Sequence, residues 1–402
     1  MTLILVLIFF ALDLNGDNFF SKIDVTVFLA VVIAFIINII KTSISKMLRG
    51  KIEDINKLSD DYNRLIKQYP CQKMITHINQ NQSLSKLHKR ILKKYNNREI
   101  HFPVILEGIL YDTKITINDS HTQYELPDLV KENYEMVMQA HEFSDVYNQL
   151  NIRLDDFTYN KDSNKLTLDT SRTTYFDSLV TNRAMDFKWG MKRSNREMFE
   201  FGPFVSSLKE SKLSNHLGFN GFIETSDNKI IFVSRSNNVS IGKGTLGNSI
   251  AASLKTMYVL NNEKKEFTVE GLVTGMVKEI EAELKIEKDS FDFSTKNIIA
   301  IYRDVVEGGK PQLLFYAKVN KTSEQVNHTF NEARKKIEKK YLQTKLLLDG
   351  NKLIFIDKNK LQDIFITPEM IIYEGKSYLT MPSASAAIVI LIDYLKGMNE
   401  IT

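Results

Sequence analysis

The chain has 402 residues, too many for one ordinary core, and its 43% hydrophobic and 25% charged content is that of a folded protein. A single cysteine, Cys71, excludes an internal disulfide and a cysteine-rich zinc site, and the seven histidines lack the His-x-x-x-His and His-x-Glu spacings of metalloproteases and zinc deaminases. The net charge of +4 conceals an uneven distribution: residues 41–100 hold fourteen Lys and Arg against five Asp and Glu, and the rest is mildly acidic.

Met1–Leu12 is almost unbroken apolar sequence, followed by the polar turn Asp13–Asn18 and a second apolar run, Val25–Ile40. A helix needs about 20 apolar residues to cross a bilayer, which the second run reaches with its flanks. Asn15-Gly16-Asp17 is turn chemistry, so residues 1–44 are expected to form a transmembrane helical hairpin. No Lys or Arg precedes Lys22, which argues against a cleaved signal peptide. Lys41–Lys51 then holds the main body in the cytoplasm, as positive charge flanking a span does. Because the basic run is not interleaved with aromatics, anionic lipid is favoured over nucleic acid as its partner.

Residues 45–100 are expected as a basic helical connector. Ile52, Ile55, Leu58, Tyr62, Leu65, Ile66 and Tyr69 recur at helical spacing up to Pro70, and a looser pattern through Ile75, Ile78, Leu84, Leu87 and Ile91 runs on to Lys94. Such a helix either lies on the body or forms a short self-associating stalk.

Residues 101–215 are mixed and are provisionally drawn as a separate region. Phe102–Leu106 and Lys114–Ile117 are predicted as strands and Asp128–Gln149 as helix. The stretch Leu166–Ala184 is dense in hydroxyl, Arg, Tyr and Asn side chains, which suits a polar ligand pocket or an ordinary polar surface equally. From Leu217 the pattern sharpens. Gly221–Thr225 and Lys229–Val233 flank Ser226-Asp227-Asn228 as a hairpin. Gly242, Gly244 and Gly247 match G-x-G-x-x-G, but a hairpin precedes them where a dinucleotide fingerprint needs a parallel strand. Thr268–Leu284 is predicted as a helix with Val269, Leu272, Val273, Met276, Ile280 and Leu284 on one side. Strands Asn297–Tyr302 and Leu313–Val319, helix Phe330–Leu346, strand Lys352–Ile356 and a last helix Ser383–Leu395 capped by Ser383 complete the chain.

Over residues 216–402 this order of elements resembles a Nudix domain, whose signature is G-x5-E-x7-R-E-U-x-E-E-x-G-U with U aliphatic. Glu270, Glu279, Ile280, Glu283 and Ile286 match it, whereas Lys264 and Lys285 replace its glycines, Lys278 its arginine and Ala282 a glutamate. Nudix hydrolysis holds Mg²⁺ on helix-borne carboxylates against a pyrophosphate. Glu279 and Glu283 share a face and are the remaining, vestigial metal ligands, so the resemblance implies a Nudix fold without hydrolysis, no catalytic residue and no cofactor.

A membrane-anchored degenerate Nudix domain resembles the SMODS-associated Nudix family, effectors of cyclic-oligonucleotide-based anti-phage signalling (CBASS). The resemblance implies an α+β protein: an N-terminal transmembrane helical hairpin plus a cytosolic body with a Nudix-like mixed-sheet α/β/α sandwich. It implies a multi-pass protein of the bacterial inner membrane that binds a cyclic nucleotide, forms a homo-oligomer and disrupts the membrane. The expected ligand-binding set is Arg172, Tyr175, Asn182, Arg183, Lys243, Gly244, Thr245 and Asn248, with phosphates on Arg172, Arg183 and Lys243 and a base on Tyr175. The alternative is a membrane-tethered nucleotide pyrophosphohydrolase using Glu270, Glu279 and Glu283 with Mg²⁺.

Overall fold

The computed structural model describes residues 58–79, 98–139, 147–189, 193–235, 244–260, 262–344 and 350–401, with several helical positions between 33 and 44. The chain divides into two units, 1–55 and 56–402. Of the first, helical residues including Ile33, Ile36, Ile37, Ile39, Ile40 and Ile44 are described, each about half exposed. Among the described residues no helix is long and apolar enough to cross a membrane. Most of the expected hairpin, all of Met1–Leu12 included, lies outside the described residues.

The second unit is a mixed α+β fold. It opens with helix α1 (Tyr62–Gln68), capped by the Asp61 side chain and ending at Tyr69 ahead of Pro70. Its apolar residues Leu65 and Tyr69 are fully buried against Ile105, Val205, Val305 and Val306, so this part of the connector lies on the body. The looser helical pattern beyond Pro70 fails at its start: Met74–Asn79 is strand β1, paired antiparallel with β2 (Arg98–Ile109). Ile75 and Ile78 owe their spacing to that strand and not to a helix face.

Strands β3 (Lys114–Gln123), β4 (Leu150–Asn160) and β5 (Lys165–Thr174) form a small sheet in the order β3-β5-β4. Between β3 and β4 the expected long helix is broken at Asn133 into α2 (Asp128–Glu132) and α3 (Tyr134–Gln139). Helix α4 (Tyr175–Val180) follows β5 directly, started by a reciprocal Thr174–Asp177 capping box. A two-strand ribbon, β6 (Lys188–Trp189) with β7 (Arg193–Ser194), precedes helix α5 (Asn195–Phe199), which has a second capping box at Ser194 and Glu197.

The nine-stranded main sheet is completed by β8 (Gly218–Glu224), β9 (Lys229–Arg235), β10 (Leu246–Gly247), β11 (Ile250–Ser253), β12 (Ile298–Asp304), β13 (Lys310–Lys318) and β14 (Gly350–Asp357). Its path is β1-β2-β12-β13-β8-β9-β10, with β11 on β8 and β14 on β9. Only β13 and β8 run parallel, in register Gln312 with Gly218 through Lys318 with Glu224. At Gly221 a Cβ would overlap the ring of its partner Phe315, so glycine there lets the ring cross the strand. The expected hairpin is real, but β8 and β9 pair only at Glu224 and Ile230 before they diverge.

Helix α6 (Thr256–Val259) leads to α7 (Val269–Leu284), one residue shorter than predicted because Thr268 is its N-cap, the side chain accepting from Gly271 N. Leu272, Met276, Ile280 and Leu284 of α7 are fully buried on one face of the sheet with Phe219, Leu313 and Phe315. The small sheet contributes Ile115, Leu154, Leu166 and Leu168 to the same core, as helix α8 (Ser323–Thr344) does through Val326 and Phe330. The opposite face is covered by α9 (Pro382–Gly397), whose Ala386–Ile392 run packs on Phe102, Val104, Phe222, Phe232 and Leu314. Being covered on both faces makes every residue of β8 and β12 buried. A short meander, β15 (Phe365–Ile366), β16 (Met370–Tyr373) and β17 (Lys376–Leu379), precedes α9. Ser383 is not the cap of α9: Met381 takes that position without a side-chain bond, and Pro382 begins the helix, where its missing N–H costs nothing.

Residues 101–215 and 216–401 share the second unit, because β2 completes the main sheet beside β12 and the small sheet joins the core around α7.

Candidate functional site

The densest group of buried charge lies where the β12–β13 turn meets the 3₁₀ turn Asn182–Ala184 and the segment before β8. The turn sequence Val305-Val306-Glu307-Gly308-Gly309 bends through two positive-φ glycines, Gly308 at 69° and Gly309 at 84°. It delivers Asp304, Glu307 and Lys310, all under 10% exposed, to the end of the parallel strand pair. Lys310 Nζ lies 3.2 Å from Glu307 Oε2. Asn182 anchors the turn: its Nδ2 donates to Glu307 O at 2.9 Å and to Asn215 Oδ1 at 3.1 Å, while its Oδ1 accepts from Asn215 N at 2.9 Å. The next residue, His216, is fully buried, and neither ring nitrogen has a hydrogen-bond partner among the described residues. Asn220 and Gln312 extend the polar strip along β8 and β13, Asn220 Nδ2 donating to Tyr302 OH at 2.5 Å.

These groups set one another's protonation. Burial and the nearby Glu307 carboxylate push Asp304 up to about 7, against the pull of Lys310. Burial alone would raise Glu307, but the Lys310 and Arg183 charges outweigh it and hold that carboxyl down, and Arg235 adds to them. Burial lowers Lys310, with Arg183 adding to that effect and Glu307 opposing it. His216 is pushed well below its ordinary value, first by burial and then by the Lys310 and Arg183 charges, and is neutral at pH 7. The Asp304 shift has a thermodynamic consequence. With a folded value above the unfolded one, Asp304 lowers stability progressively as pH rises from about 4 to about 7. Asp304→Asn is expected to abolish that slope and to raise the urea midpoint at pH 8, as measured by chemical denaturation at pH 5 and pH 8.

The expected ligand residues divide in two. Tyr175 and Arg183 come together, the guanidinium lying 5.7 Å from the Tyr175 ring centroid, and Arg183 acts on the Glu307–Lys310 pair. Asn182 is fully buried and spent on positioning the turn. Arg172 is withdrawn from any ligand: only 5% exposed, it grips Asp119 at 2.6 and 2.7 Å. Asp119 also accepts from Thr170 Oγ1 and Phe267 N, and these bonds outweigh its burial and hold its carboxyl down. Lys243 lies outside the described residues. Gly244, at φ 68°, and Thr245 begin the segment that returns onto β9, where Thr245 O accepts from Arg235 N at 2.8 Å. Asn248 is buried, and neither its Oδ1 nor its Nδ2 has a partner among the described residues. Arg183, from the first predicted stretch, and Arg235, whose N–H donates to Thr245 O of the second, both lower Glu307. His216, Arg235, Asp304, Glu307 and Lys310 were not singled out by motif; the Gly308-Gly309 pair was the one sequence signal of a sharp turn there.

The acidic helix carries a different arrangement. Glu279 is buried on α7, and Lys255 Nζ, from the start of α6, lies 2.6 Å from its Oε1. Burial pulls the Lys255 ammonium down, but the Glu279 charge and hydrogen bond outweigh it and leave it raised, with Glu283 contributing. Lys255 and Lys278 both lie 5.4 Å from the Tyr258 ring. A lysine ammonium therefore sits against Glu279, with Glu283 acting on it from the same helix, and the described residues contain no cluster of three metal-ligating side chains. Glu270 and Ala282 are exposed. Helix α7 ends at Lys285 in the left-handed conformation, φ 60° and ψ 31°, at the position where the Nudix signature has glycine. Lys285→Gly is expected to stabilise the fold by about 1 kcal/mol, read from the urea midpoint, since glycine takes this conformation without penalty.

Comparison with models of known protein families finds no match, and no curated protein matches the chain.

Proposed function

We propose that this is a nucleotide-binding membrane effector: a degenerate Nudix-like body that recognises a cyclic oligonucleotide second messenger without hydrolysing it, and an N-terminal apolar hairpin that disrupts the bacterial inner membrane once the protein assembles as a homo-oligomer. The observation that carries this reading is the Lys255–Glu279 pair. Metal-assisted pyrophosphate cleavage requires a divalent cation on the helix carboxylates, and a fixed ammonium 2.6 Å from Glu279 competes for that position. The cations, buried amides and aromatic ring around the β12–β13 turn then serve for binding. The layering supports the Nudix-like part, with α7 on one face of a mixed sheet and α9 on the other. The Val25–Ile40 run, apolar except for Thr26 and Asn38, and the basic stretch after it support the membrane part.

The test is dye release. The full chain is reconstituted into vesicles of phosphatidylethanolamine and phosphatidylglycerol loaded with a self-quenched dye, and a panel of cyclic di- and trinucleotides is added. Release triggered by one cyclic species, and abolished by deleting residues 1–44, is the expected result. Release that no nucleotide alters contradicts the reading.

A further inference from the structure

We propose that the turn Phe201-Gly202-Pro203-Phe204 is a membrane-contact wedge, whose two phenyl rings enter the interface of an anionic bilayer beside helix α1. The inference deepens the membrane reading and rests on it for the identity of the surface.

The first observation is what the turn displays. Phe201 is 72% exposed and Phe204 is 60% exposed, so two large apolar side chains stand in solvent on one turn. Single exposed apolar residues are ordinary, but a pair of phenyl rings side by side marks a contact surface. The second observation is that the turn is built to hold them there. Glu200 before it is buried, and Val205 after it is buried with Leu65 and Tyr69 of the α1 end. Tyr69 OH donates to Glu200 O at 2.5 Å, Ser206 N donates to Glu200 Oε2 at 2.7 Å, and Arg303 Nη2 donates to Ser206 O at 2.7 Å. Gly202, at φ 89°, lies so close to α1 that a Cβ would fall 2.6 Å from Gln68 O. The Gln68 side chain donates to Phe201 O at 3.2 Å. Pinned on both sides, the backbone keeps the rings away from the core.

The third observation is the company the turn keeps. Its support, α1, is the first described helix of the second unit and follows the basic stretch that begins at Lys41 behind the Val25–Ile40 run. The Gln68–Phe201 bond joins residues 65–73 to residues 201–212, where the exposed charges are Lys67, Lys73, Lys209 and Lys212 against Glu210. Aromatic rings settle at the headgroup level, and ammonium groups beside them meet anionic lipid. A second copy of the chain fits less well. The two rings together expose on the order of 300 Å², well below the roughly 800 Å² per partner that a stable dimer buries.

The test reads depth in the bilayer. The full chain is reconstituted into phosphatidylethanolamine–phosphatidylglycerol vesicles, with or without brominated acyl chains that quench tryptophan on contact. Phe201→Trp and Phe204→Trp each add one tryptophan to Trp189, and the control is Met257→Trp, at a 69% exposed position on α6. The signal added over wild type is expected to fall about twofold or more in brominated vesicles at both turn positions, as rings seated at the interface do, and to be unchanged at position 257. Quenching at the turn no greater than at position 257 overturns the proposal. Shielding of the turn tryptophans from aqueous acrylamide without quenching by brominated lipid also overturns it, and makes the turn a contact between protein copies. Alkaline carbonate extraction of the vesicles reads the anchor separately. Chains that resist extraction with unquenched turn tryptophans lose the wedge and keep the membrane reading. Quenched turn tryptophans on chains that carbonate strips away support the wedge and contradict the hairpin anchor.

Discussion

Arg196→Ala is expected to remove about 3–5 kcal/mol of stability, the cost of leaving a buried ion pair with one member. Arg196 is 2% exposed and is among the largest fully buried side chains. Its Nε and Nη2 reach the two oxygens of Asp186 at 2.8 and 2.9 Å, and its remaining N–H groups donate to Val305 O at 2.8 Å, Val306 O at 2.7 Å and Tyr69 OH at 3.3 Å. One side chain thus ties α1, α5 and the β12–β13 turn together. Asp186 also accepts from Ser59 N at 2.9 Å, at the start of the described body. Alanine strips the guanidinium fork from Asp186, which keeps only Ser59 N and the exposed Arg64, and removes the side-chain donors to Val305 O, Val306 O and Tyr69 OH. The loss is read from the urea midpoint. Arg196→Lys keeps the charge but not the fork, and is expected to fall between alanine and wild type.

Lys255→Ala is expected to cost about 2–3 kcal/mol at neutral pH, somewhat less than a fully sealed pair because the Lys255 side chain is 23% exposed against 3% for Glu279. The pair's contribution is present throughout neutral pH. The Lys255 value is raised in the fold, so its stabilisation is lost only as pH climbs through that raised value. The variant also reports on what the lysine replaces. With the ammonium gone, Glu279 and Glu283 present two carboxylates on one helix face, and millimolar Mg²⁺ should restore part of the lost stability in Lys255→Ala while leaving wild type unmoved. A wild-type midpoint that rises with Mg²⁺ as much as the variant's does would mean that Lys255 does not hold the cation position.

How far the sequence foretold the body depended on whether the signal was local. Strong periodicity placed α7 within a residue, and β3, β9, β12, β13 and β14 fall where alternating or continuous apolar runs put them. Misreadings came where tertiary pairing overrode local pattern. Ile75 and Ile78 match helical spacing, yet β1 is held by the edge of β2. The Asp128–Gln149 pattern gave no hint of the break at Asn133. Arg172 looked like a ligand group by composition, but its partner Asp119 is fifty-three residues earlier and becomes visible only when β3 and β5 pair. Lys255 had no motif at all; what gives it a role is the approach of α6 to α7, where a Cβ at Gly271 would collide with the Val259 carbonyl. The buried cluster around Glu307 is likewise a product of register, since Lys310 and His216 meet because β13 and β8 run parallel.

The central claim is binding without cleavage, and isothermal titration of the purified full chain in EDTA against a panel of cyclic di- and trinucleotides, with chromatography of the recovered ligand, tests it most directly. Saturable binding of one cyclic species, recovered intact and bound equally with Mg²⁺ in place of EDTA, is the predicted result. Binding that requires Mg²⁺ and returns a cleaved nucleotide would contradict it and make the Glu279–Glu283 helix a working hydrolase.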